Sequence, residues 1–430
     1  MLSKKIVDSY TRILIDELRL AMGCTEPIAI AYAASIVTDA LGGAPDSILL
    51  ELSGNIIKNV KSVIVPATGG MHGIESAVAA GVVSAAPSKK LEVLSVLGEQ
   101  DVERIRAYLA SADIRVRELN SPCTFDLYMQ ASRGSHKSSL RITGGHTDIV
   151  SVELDGVSVA DKYVSEREIA ASGSSGADMY AMLNVKDIID FAEQVELDVL
   201  APYLETQISL NMAIAEEGLK NTYGASIGQL LMMGDSVDVS RKARAYAAAG
   251  SDARMSGCEL AVCIISGSGN QGITASVPVV IYAQEYNIDH ETLLRALIVS
   301  DLITIHQKTG IGCLSAYCGA ISAGCGCGAG ISYLLGGRYY EIAHTLVNAV
   351  AILSGTICDG AKPSCAAKIA MAVEAGIMGY EMARTHRQFY GGDGIVTKGV
   401  ENTIRNVGRL ARDGMGETDR EILKIMLEES

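Results

Sequence analysis

The sequence contains no tryptophan and only 3 phenylalanines among its 430 residues, although 48% of those residues are hydrophobic. A core large enough for this length must therefore be built from aliphatic and small side chains rather than from large aromatic rings. The 44 glycines indicate the same, because glycine lets neighbouring helices approach closely. These counts predict a globular protein rich in tightly packed helices.

The sequence also lacks an uninterrupted apolar run of about 18 residues, the length that a membrane-spanning helix requires. Its best candidate, AHTLVNAVAILSGTIC, is interrupted by His344, Asn348 and other polar side chains, which predicts a buried helix. The N-terminal segment lacks the apolar centre of a signal peptide and shows amphipathic spacing instead. We therefore expect a cytoplasmic protein that does not insert into a membrane.

Positive charge is scarce as well, because 50 acidic residues outnumber 36 basic ones and the net charge is -14. This excess of negative charge disfavours nucleic acid and anionic membranes as partners. None of the glycine-rich segments matches the phosphate-binding signatures of ATP-dependent or nicotinamide-dependent proteins. The expected ligand is therefore a different small molecule, and the composition is compatible with a homo-oligomer.

Five glycine-rich segments predict loops that expose backbone N–H groups and small hydroxyls, an arrangement that suits a bound carboxylate. They are SGNIIKN, PATGGMHG, SGSGNQG, GCLSAYCGAISAGCGCGAG and CDGAKPSC. Candidate substrate-binding residues are Ser53, Asn55 and Lys58 in the first segment and Ser268 and Asn270 in the third. Their hydroxyl, amide and ammonium groups are suited to the charged ends of an amino acid.

Between about residues 91 and 165, polar and apolar residues alternate, which is typical of half-buried antiparallel strands. The predicted strands are LEVLSVL, IRVREL, FDLYMQASR, SSLRITGG and IVSVELDG. The segment QDVERIRAYLASA between the first two predicts a helix, and Gly144-Gly145 and Asp155-Gly156 predict turns. Outside this region the patterns are helical.

These patterns predict an α+β protein, a mainly helical catalytic domain with an inserted α/β domain that contains an antiparallel sheet. Residues 1–88 form the N-terminal part of the catalytic domain, 89–178 the insert, and 179–430 the rest of the helical domain. The polar segment SEREIAASGSSGAD, residues 165–178, marks the second boundary.

Ten cysteines in a protein expected to be cytoplasmic are reduced thiols, available as metal ligands or catalytic groups. Cys358 and Cys365 flank a loop containing glycine and proline, which can fold around a metal. Thiolates select iron–sulfur clusters or zinc, and the repeated short pairs typical of zinc are missing. A third ligand must come from residues 313–327, where the spacing alone does not choose among Cys313, Cys318, Cys325 and Cys327.

Several strings of the sequence resemble the L-cysteine desulfidase family, which is related to the alpha chain of iron–sulfur L-serine dehydratase. They are GCTEPIAIA, SGNIIKN with PATGGMHG, LSAYCG, GISYLLGG, SGTICDGAKPSCAAKIA and GGDGIV with TDREILKIM, and they extend over nearly the whole chain. The resemblance implies an oxygen-sensitive 4Fe-4S cluster held by three cysteines. It also implies a lyase that converts L-cysteine to pyruvate, ammonia and hydrogen sulfide.

Position by position, the resemblance implies that Cys318, Cys358 and Cys365 hold the cluster, with Cys325 as the reserve choice for the third ligand. It also implies that Cys24 is the catalytic base. Pro27 can begin a helix directly after Cys24, and we expect the positive end of that helix to lower the pKa of the thiol. His72 in PATGGMHG is a second catalytic candidate, since an imidazole can move a proton.

Two other functions fit the same residues. An iron–sulfur L-serine or L-threonine dehydratase differs from a desulfidase only in the leaving group. A non-catalytic iron–sulfur redox sensor would use the thiolates to sense oxygen through loss of the cluster, but the sequence lacks the basic element that would bind DNA. A zinc-stabilised structural protein is the remaining alternative.

Overall fold

The computed structural model describes residues 2–164, 175–234, 236–312 and 314–428. Most of these residues are helical, which confirms the predicted α+β class. The α-helices span Lys4–Glu17, Thr25–Ala40, Gly54–Val60, Gly73–Ser84, Asp101–Ser111, Ser175–Tyr180, Val185–Gln194, Ala201–Lys220, Ile227–Met232, Val239–Met255, Gly269–Glu285, His290–Ile311, Gly319–Leu334, Tyr339–Leu353, Cys365–Arg384, Val400–Arg409 and Gly416–Glu428.

In the described residues, eight strands form two sheets. The strands are β1 Arg19–Met22, β2 Ser47–Leu52, β3 Asp113–Glu118, β4 Asp126–Arg133, β5 His136–Thr143, β6 Ile149–Leu154, β7 Val157–Ser158 and β8 Ala261–Ile264. β1 and β8 pair as an antiparallel ribbon, and the other six form a sheet in the order β3-β2-β4-β5-β6-β7. β2 runs parallel to β3 and antiparallel to β4, so this sheet is mixed rather than purely antiparallel.

One predicted strand is wrong, and the strands β1, β2, β7 and β8 were not predicted. Residues 91–97 lie largely in a 3-10 segment, Pro87–Val96, which is kinked at Lys90, where φ is 49°. The longest of the unpredicted strands is β2, in which Ile48, Leu50 and Leu52 alternate into the core. It precedes the predicted insert at 89–178, so the sheet draws on chain from both sides of that boundary. The other domain boundary, 165–178, lies mostly outside the described residues.

All five of the predicted glycine loops contain the first residue of a helix. In the segment 312–330, the helix Gly319–Leu334 follows directly after Cys318. Its glycines serve helix packing: a Cβ atom at Gly376 would lie 2.1 Å from the carbonyl oxygen of Gly324 on the neighbouring helix. Helices also begin at Gly54, Gly73, Gly269 and Cys365 within the other four segments. Glycine here marks close helix contact as well as loops.

The remaining predictions for the insert are confirmed. The helix Asp101–Ser111 follows the 3-10 helix, and Asp155 and Gly156, both with positive φ, form the turn between β6 and β7. Gly144 and Gly145 lie in the loop between β5 and β6. Within the described residues, no helix is long and apolar enough to cross a membrane.

Candidate active site

The ends of four helices converge on a cavity of about 100 Å³. Cys24, Ser268 and Cys318 are the N-cap residues of three of these helices, and Cys365 is the first residue of the fourth. All four side chains line the cavity. Because helix N-termini carry partial positive charge and unpaired N–H groups, this arrangement suits a bound anion.

Two of the predicted cluster ligands are held by a short pair of extended segments. The N–H of Cys318 donates to the carbonyl of Thr356 at 3.0 Å, and the N–H of Cys358 donates to the carbonyl of Ala316 at 2.7 Å. Tyr317 and Ile357 form the antiparallel bridge between them. The backbone therefore fixes Cys318 beside Cys358 before any ligand binds.

The third predicted ligand, Cys365, lies across the loop 358–365. Its thiol faces the carbonyl oxygen of Gly360 at 3.7 Å, and it lines the same cavity as Cys318 and Cys358. The loop itself is braced by Asp359, whose carboxylate pairs with Lys362 and with Lys368, the latter at 2.5 Å. The loop is thus cross-linked to the first turns of the helix Cys365–Arg384.

The thiols of Cys318 and Cys358 affect each other. Their shared hydrogen bond lowers the pKa of Cys358 below the usual range, and the charges of Lys58 and Lys308 lower it further, against the effect of burial. The same hydrogen bond and burial raise the pKa of Cys318. One of the two thiols is therefore favoured as a thiolate, the form that binds soft metals.

The structure separates the alternatives for the third ligand by position. Cys325 and Cys327 lie within the helix Gly319–Leu334, are buried, and do not line the cavity. Cys313 lies outside the described residues. Within the described part of the chain, no three histidine, cysteine or carboxylate side chains are gathered as a metal site. Cys318, Cys358 and Cys365 share a cavity, and their ligand role stays a prediction.

Cys24 faces a carboxylate, and this overturns the predicted effect on its pKa. Its thiol donates to Oε2 of Glu26 at 3.1 Å. Burial raises the pKa of Cys24 well above its ordinary value and the negative Glu26 raises it further, although Arg254 acts in the opposite direction. The expected lowering by the helix end was wrong because burial and a neighbouring anion outweigh a partial charge.

Glu26 connects Cys24 to two further side chains. Its Oε1 accepts a hydrogen bond from Asn59 at 3.1 Å and lies 3.9 Å from Nε2 of His146, which comes from the loop between β5 and β6. Burial alone would raise the pKa of Glu26, but the facing His146 and Cys24 lower it to about 2. Glu26 is therefore ionised at neutral pH and holds the hydrogen of the Cys24 thiol.

Arg254 lies on another side of the cavity. It ends the helix Val239–Met255, is only 3% exposed, and donates through Nη1 to Oδ1 of Asn270 at 3.1 Å. Ser268 accepts a hydrogen bond from the N–H of Gln271 at 3.4 Å as the helix cap. Of the predicted substrate-binding residues, Ser268 and Asn270 line the cavity.

The other predicted substrate and catalytic candidates do not line this cavity. Ser53 donates to the carbonyl of Thr124 at 2.8 Å. Asn55 is in the helix Gly54–Val60, and His72 is exposed, with its Nδ1 3.3 Å from the carbonyl oxygen of Ser62. These contacts hold neighbouring segments together.

Lys58 does not line the cavity but contacts a segment that carries one of its thiols. Its ammonium donates to the carbonyl of Cys358 at 3.1 Å and pairs with Asp419 at 2.5 Å. The second carboxylate oxygen of Asp419 accepts from the N–H of Ala316 at 2.9 Å. Lys58 and Asp419 therefore brace both segments that carry Cys318 and Cys358, a role that the sequence did not suggest.

Sequence reasoning also missed Glu26, His146 and Arg254. Glu26 was within reach, because it follows Cys24 in the quoted string GCTEP. His146 directly follows the predicted turn Gly144-Gly145, but only the fold brings that turn to the cavity. Arg254 ends a long helix with no motif around it, so no local signal identified it.

A second cavity, of about 480 Å³, adjoins the first. The two share His146, Ser266, Gly267 and Lys308 as lining residues. The larger cavity lies between the β5–β6 loop and the helical part of the molecule.

The fold and the cavity define a class: a helical α+β protein with a small-molecule site lined by thiols at helix N-termini. Comparison with known proteins is more specific. The family model for the serine dehydratase alpha chain matches residues 88–424, and the chain therefore belongs to this family. The match confirms the predicted relationship to serine dehydratase and indicates a lyase of the dehydratase type.

Full-length relatives extend the similarity to the residues before 88. A UPF0597 protein of Desulfitobacterium hafniense is 52% identical over 419 residues, 97% of this chain and 96% of the relative. A UPF0597 protein of Lachnoclostridium phytofermentans is 46% identical over 424 residues, 99% of each chain. One from Treponema denticola is 43% identical over 434 residues, covering both chains completely.

Proposed function

We propose that this protein is an L-cysteine desulfidase, a lyase that removes the α-proton and the β-thiol of L-cysteine. The products are hydrogen sulfide and aminoacrylate, which water converts to pyruvate and ammonia. The observation that carries the proposal is that Cys24 and the three predicted cluster ligands line one cavity. A base and a site for soft metal are thus within reach of the same small molecule.

The side chains that line this cavity are of the chemical types that bind an iron–sulfur cluster. Cys318, Cys358 and Cys365 provide three soft thiol donors, and the pKa of one of them is lowered by neighbouring lysines and by a second thiol. Helix N-termini add the positive potential that an anionic cluster requires. A 4Fe-4S cluster held by three cysteines would supply a Lewis-acidic iron that polarises the substrate.

We assign the proton chemistry to Cys24 and Glu26. Glu26 accepts the thiol hydrogen of Cys24, and its charge raises the pKa of that thiol. A thiolate formed against a raised pKa is a stronger base, which suits removal of a weakly acidic α-proton. Asn59 and His146 face the other oxygen of Glu26 and orient the carboxylate toward Cys24.

L-serine dehydration is the second candidate, and the family description favours it. L-serine and L-cysteine differ only in the β-substituent, so Cys24 and Glu26 would act in the same way on both. The soft, thiol-lined cavity is the argument for sulfide as the leaving group. For both reactions the partner is a small amino acid, and a cytoplasmic location stays part of the proposal.

The test compares both substrates on protein that has been purified and reconstituted with iron and sulfide under anaerobic conditions. We expect kcat/KM for L-cysteine to exceed that for L-serine by at least about tenfold, measured as pyruvate release. A preference for L-serine would identify a dehydratase instead. Absence of turnover with either amino acid, in protein that holds its cluster, would favour the redox sensor.

A further inference from the structure

Arg254 is a buried cation without an anionic partner in the described part of the chain. Its guanidinium is 3% exposed and donates to the neutral amide of Asn270, and its Nε has no hydrogen-bond partner. An isolated buried charge is unfavourable by several kcal/mol, so proteins retain one where a ligand supplies the opposite charge. The position of Arg254 at the cavity allows a ligand to do this.

The chain makes room for this guanidinium. A Cβ atom at Gly269 would lie 2.3 Å from Nε of Arg254, so a larger residue at the start of the helix Gly269–Glu285 would displace the guanidinium. Asn270, the next residue, fixes the guanidinium through Nη1. The planar group is thus held against a helix N-terminus, and both features attract a carboxylate.

Acceptors for a positive group line the same cavity. Oε1 of Gln271 and Oδ1 of Asn59 are buried and have no hydrogen-bond partner in the described part of the chain. The carboxylate of Glu26 is adjacent to Asn59. A ligand that carries both a carboxylate and an ammonium group would therefore satisfy Arg254 and these acceptors together.

We infer that Arg254, held by Asn270, binds the α-carboxylate of the amino-acid substrate. This assignment rests on the proposed function, and it adds the residue that makes the site select α-amino acids over amines. The carboxylate would be anchored beside Cys24, since the charge of Arg254 acts on that thiol. Such anchoring would fix the Cα–H bond relative to the base.

The test uses equilibrium binding, because Arg254 also acts on the Cys24 thiol and a loss of turnover would not separate the two effects. The probes are L-alanine, which has a carboxylate but no leaving group, and L-alanine methyl ester, in which the carboxylate is masked. Both are titrated calorimetrically into the reconstituted protein. We expect the wild type to bind L-alanine about 10- to 100-fold more tightly than the ester.

In Arg254→Gln, the preference for L-alanine should fall to about twofold or less, while the iron content stays at the wild-type level. Arg244→Gln is the matched control, because Arg244 lies on the same helix, pairs with Glu374 and does not line the cavity. This control should keep the full preference. A preference that survives in Arg254→Gln overturns the inference, as does a wild type that binds both probes alike.

Two further results separate the alternatives. Loss of iron from Arg254→Gln would show that the charge serves the cluster, and this overturns the inference. If circular dichroism shows that Arg254→Gln does not fold, Arg254→Lys decides, since it keeps the charge but loses the planar fork. In Arg254→Lys, a preference for L-alanine over its methyl ester that is weakened by about threefold or more supports the inference, and an unchanged preference contradicts it. If binding of L-alanine depends on Arg254 but the protein does not turn over L-cysteine, the proposed reaction is rejected and the role of Arg254 in binding the carboxylate stands.

Discussion

At the scale of single residues, Cys24 is the side chain on which the proposed chemistry depends most. It is 3% exposed, lies at the end of the helix Thr25–Ala40, and its thiol hydrogen is held by Glu26. A buried thiol with a raised pKa is mostly protonated at neutral pH, so its use as a base requires deprotonation when substrate binds. Glu26, ionised at neutral pH, holds the thiol hydrogen of Cys24 through a hydrogen bond and does not remove it.

Replacing the base should stop turnover without removing iron. We expect Cys24→Ser to lower kcat for L-cysteine by about 100-fold or more, the usual contribution of a positioned general base. Its iron and sulfide content should match the wild type, because Cys24 is not one of the predicted ligands. Cys123→Ser, a change outside the cavity, is the control that should keep full activity. Wild-type kcat in Cys24→Ser would remove this residue from the mechanism.

A second residue-scale prediction concerns stability and pH. Burial raises the pKa of Asp301 to about 7, against the hydrogen bond from Gln207. The folded protein thus holds this proton more tightly than the unfolded chain, whose carboxyl has a pKa near 3.9. Between about pH 4 and pH 7 the free energy of unfolding should therefore fall as pH rises, by up to about 1.4 kcal/mol per pH unit from this group.

Asp301→Asn tests this contribution by urea unfolding at pH 5 and pH 8. We expect the variant to gain stability relative to the wild type as pH rises, since asparagine cannot ionise. Asp198→Asn removes one charge at an exposed position and serves as the comparison. If the free energies of unfolding of Asp301→Asn and wild type differ by the same amount at pH 5 and at pH 8, the prediction is contradicted.

The sequence identified the thiols of the site better than their surroundings. Cys24, Cys318, Cys358 and Cys365 were all predicted and all line one cavity. Their environment depends on residues that are distant along the chain, such as His146, which no spacing pattern could bring to Cys24. The pKa of Cys24 was predicted in the wrong direction for the same reason, since burial follows from tertiary packing.

At the scale of secondary-structure elements, two helices that carry predicted ligands are held together by glycine. Gly324 and Gly376 face each other where the helices Gly319–Leu334 and Cys365–Arg384 cross. Cys318 precedes the first helix and Cys365 begins the second. The distance between these ligands therefore depends on a contact that leaves no room for a methyl group.

We expect Gly376→Ala to lower the free energy of unfolding by about 1–3 kcal/mol, because the added Cβ would overlap the backbone of the facing helix. It should also reduce the iron bound after reconstitution. Gly98→Ala is the control, as nothing lies within 4 Å of its added Cβ. Unchanged stability in Gly376→Ala, measured by urea unfolding, would contradict the close packing described here.

The helix Gly416–Glu428 braces the ligand segments through Asp419. Replacing Asp419 by Asn weakens its ion pair with the buried Lys58, and we expect a loss of about 1–3 kcal/mol in unfolding free energy. The thiol of Cys358 should then react faster with iodoacetamide, because the loop carbonyl has lost part of its support. Glu417→Gln breaks an exposed pair with Arg420 and should change neither quantity.

The sequence predicted most elements correctly, and the errors have physical causes. Alternation alone could not distinguish a strand from the 3-10 segment at 87–96, because Leu91 and Val93 are buried at alternate positions as in a strand, although Leu94 is buried as well. The strand β2 was missed because it follows a long helix and lies far from the other strands in the chain. Glycine-rich segments suggested loops where helix packing uses the same residue.

At the scale of the whole molecule, the sheet contributes directly to the site. The loop between β5 and β6 brings His146 to Glu26, and the same loop borders the larger adjoining cavity. The role of the α/β insert could not be derived from its sequence, because alternation reports burial and not which loop reaches the helices. The structure shows that the loop between β5 and β6 lines both the smaller cavity and the larger one beside it.

The central claim is that this thiol-lined cavity performs an iron–sulfur-dependent elimination. Its most direct test is anaerobic reconstitution followed by visible absorption and by release of sulfide and pyruvate from L-cysteine in one cuvette. We predict a brown protein that releases both products in equal amounts, and a Cys358→Ser variant that lacks both the colour and the turnover. A colourless, inactive wild type after full reconstitution, or equal turnover without iron, would contradict the claim.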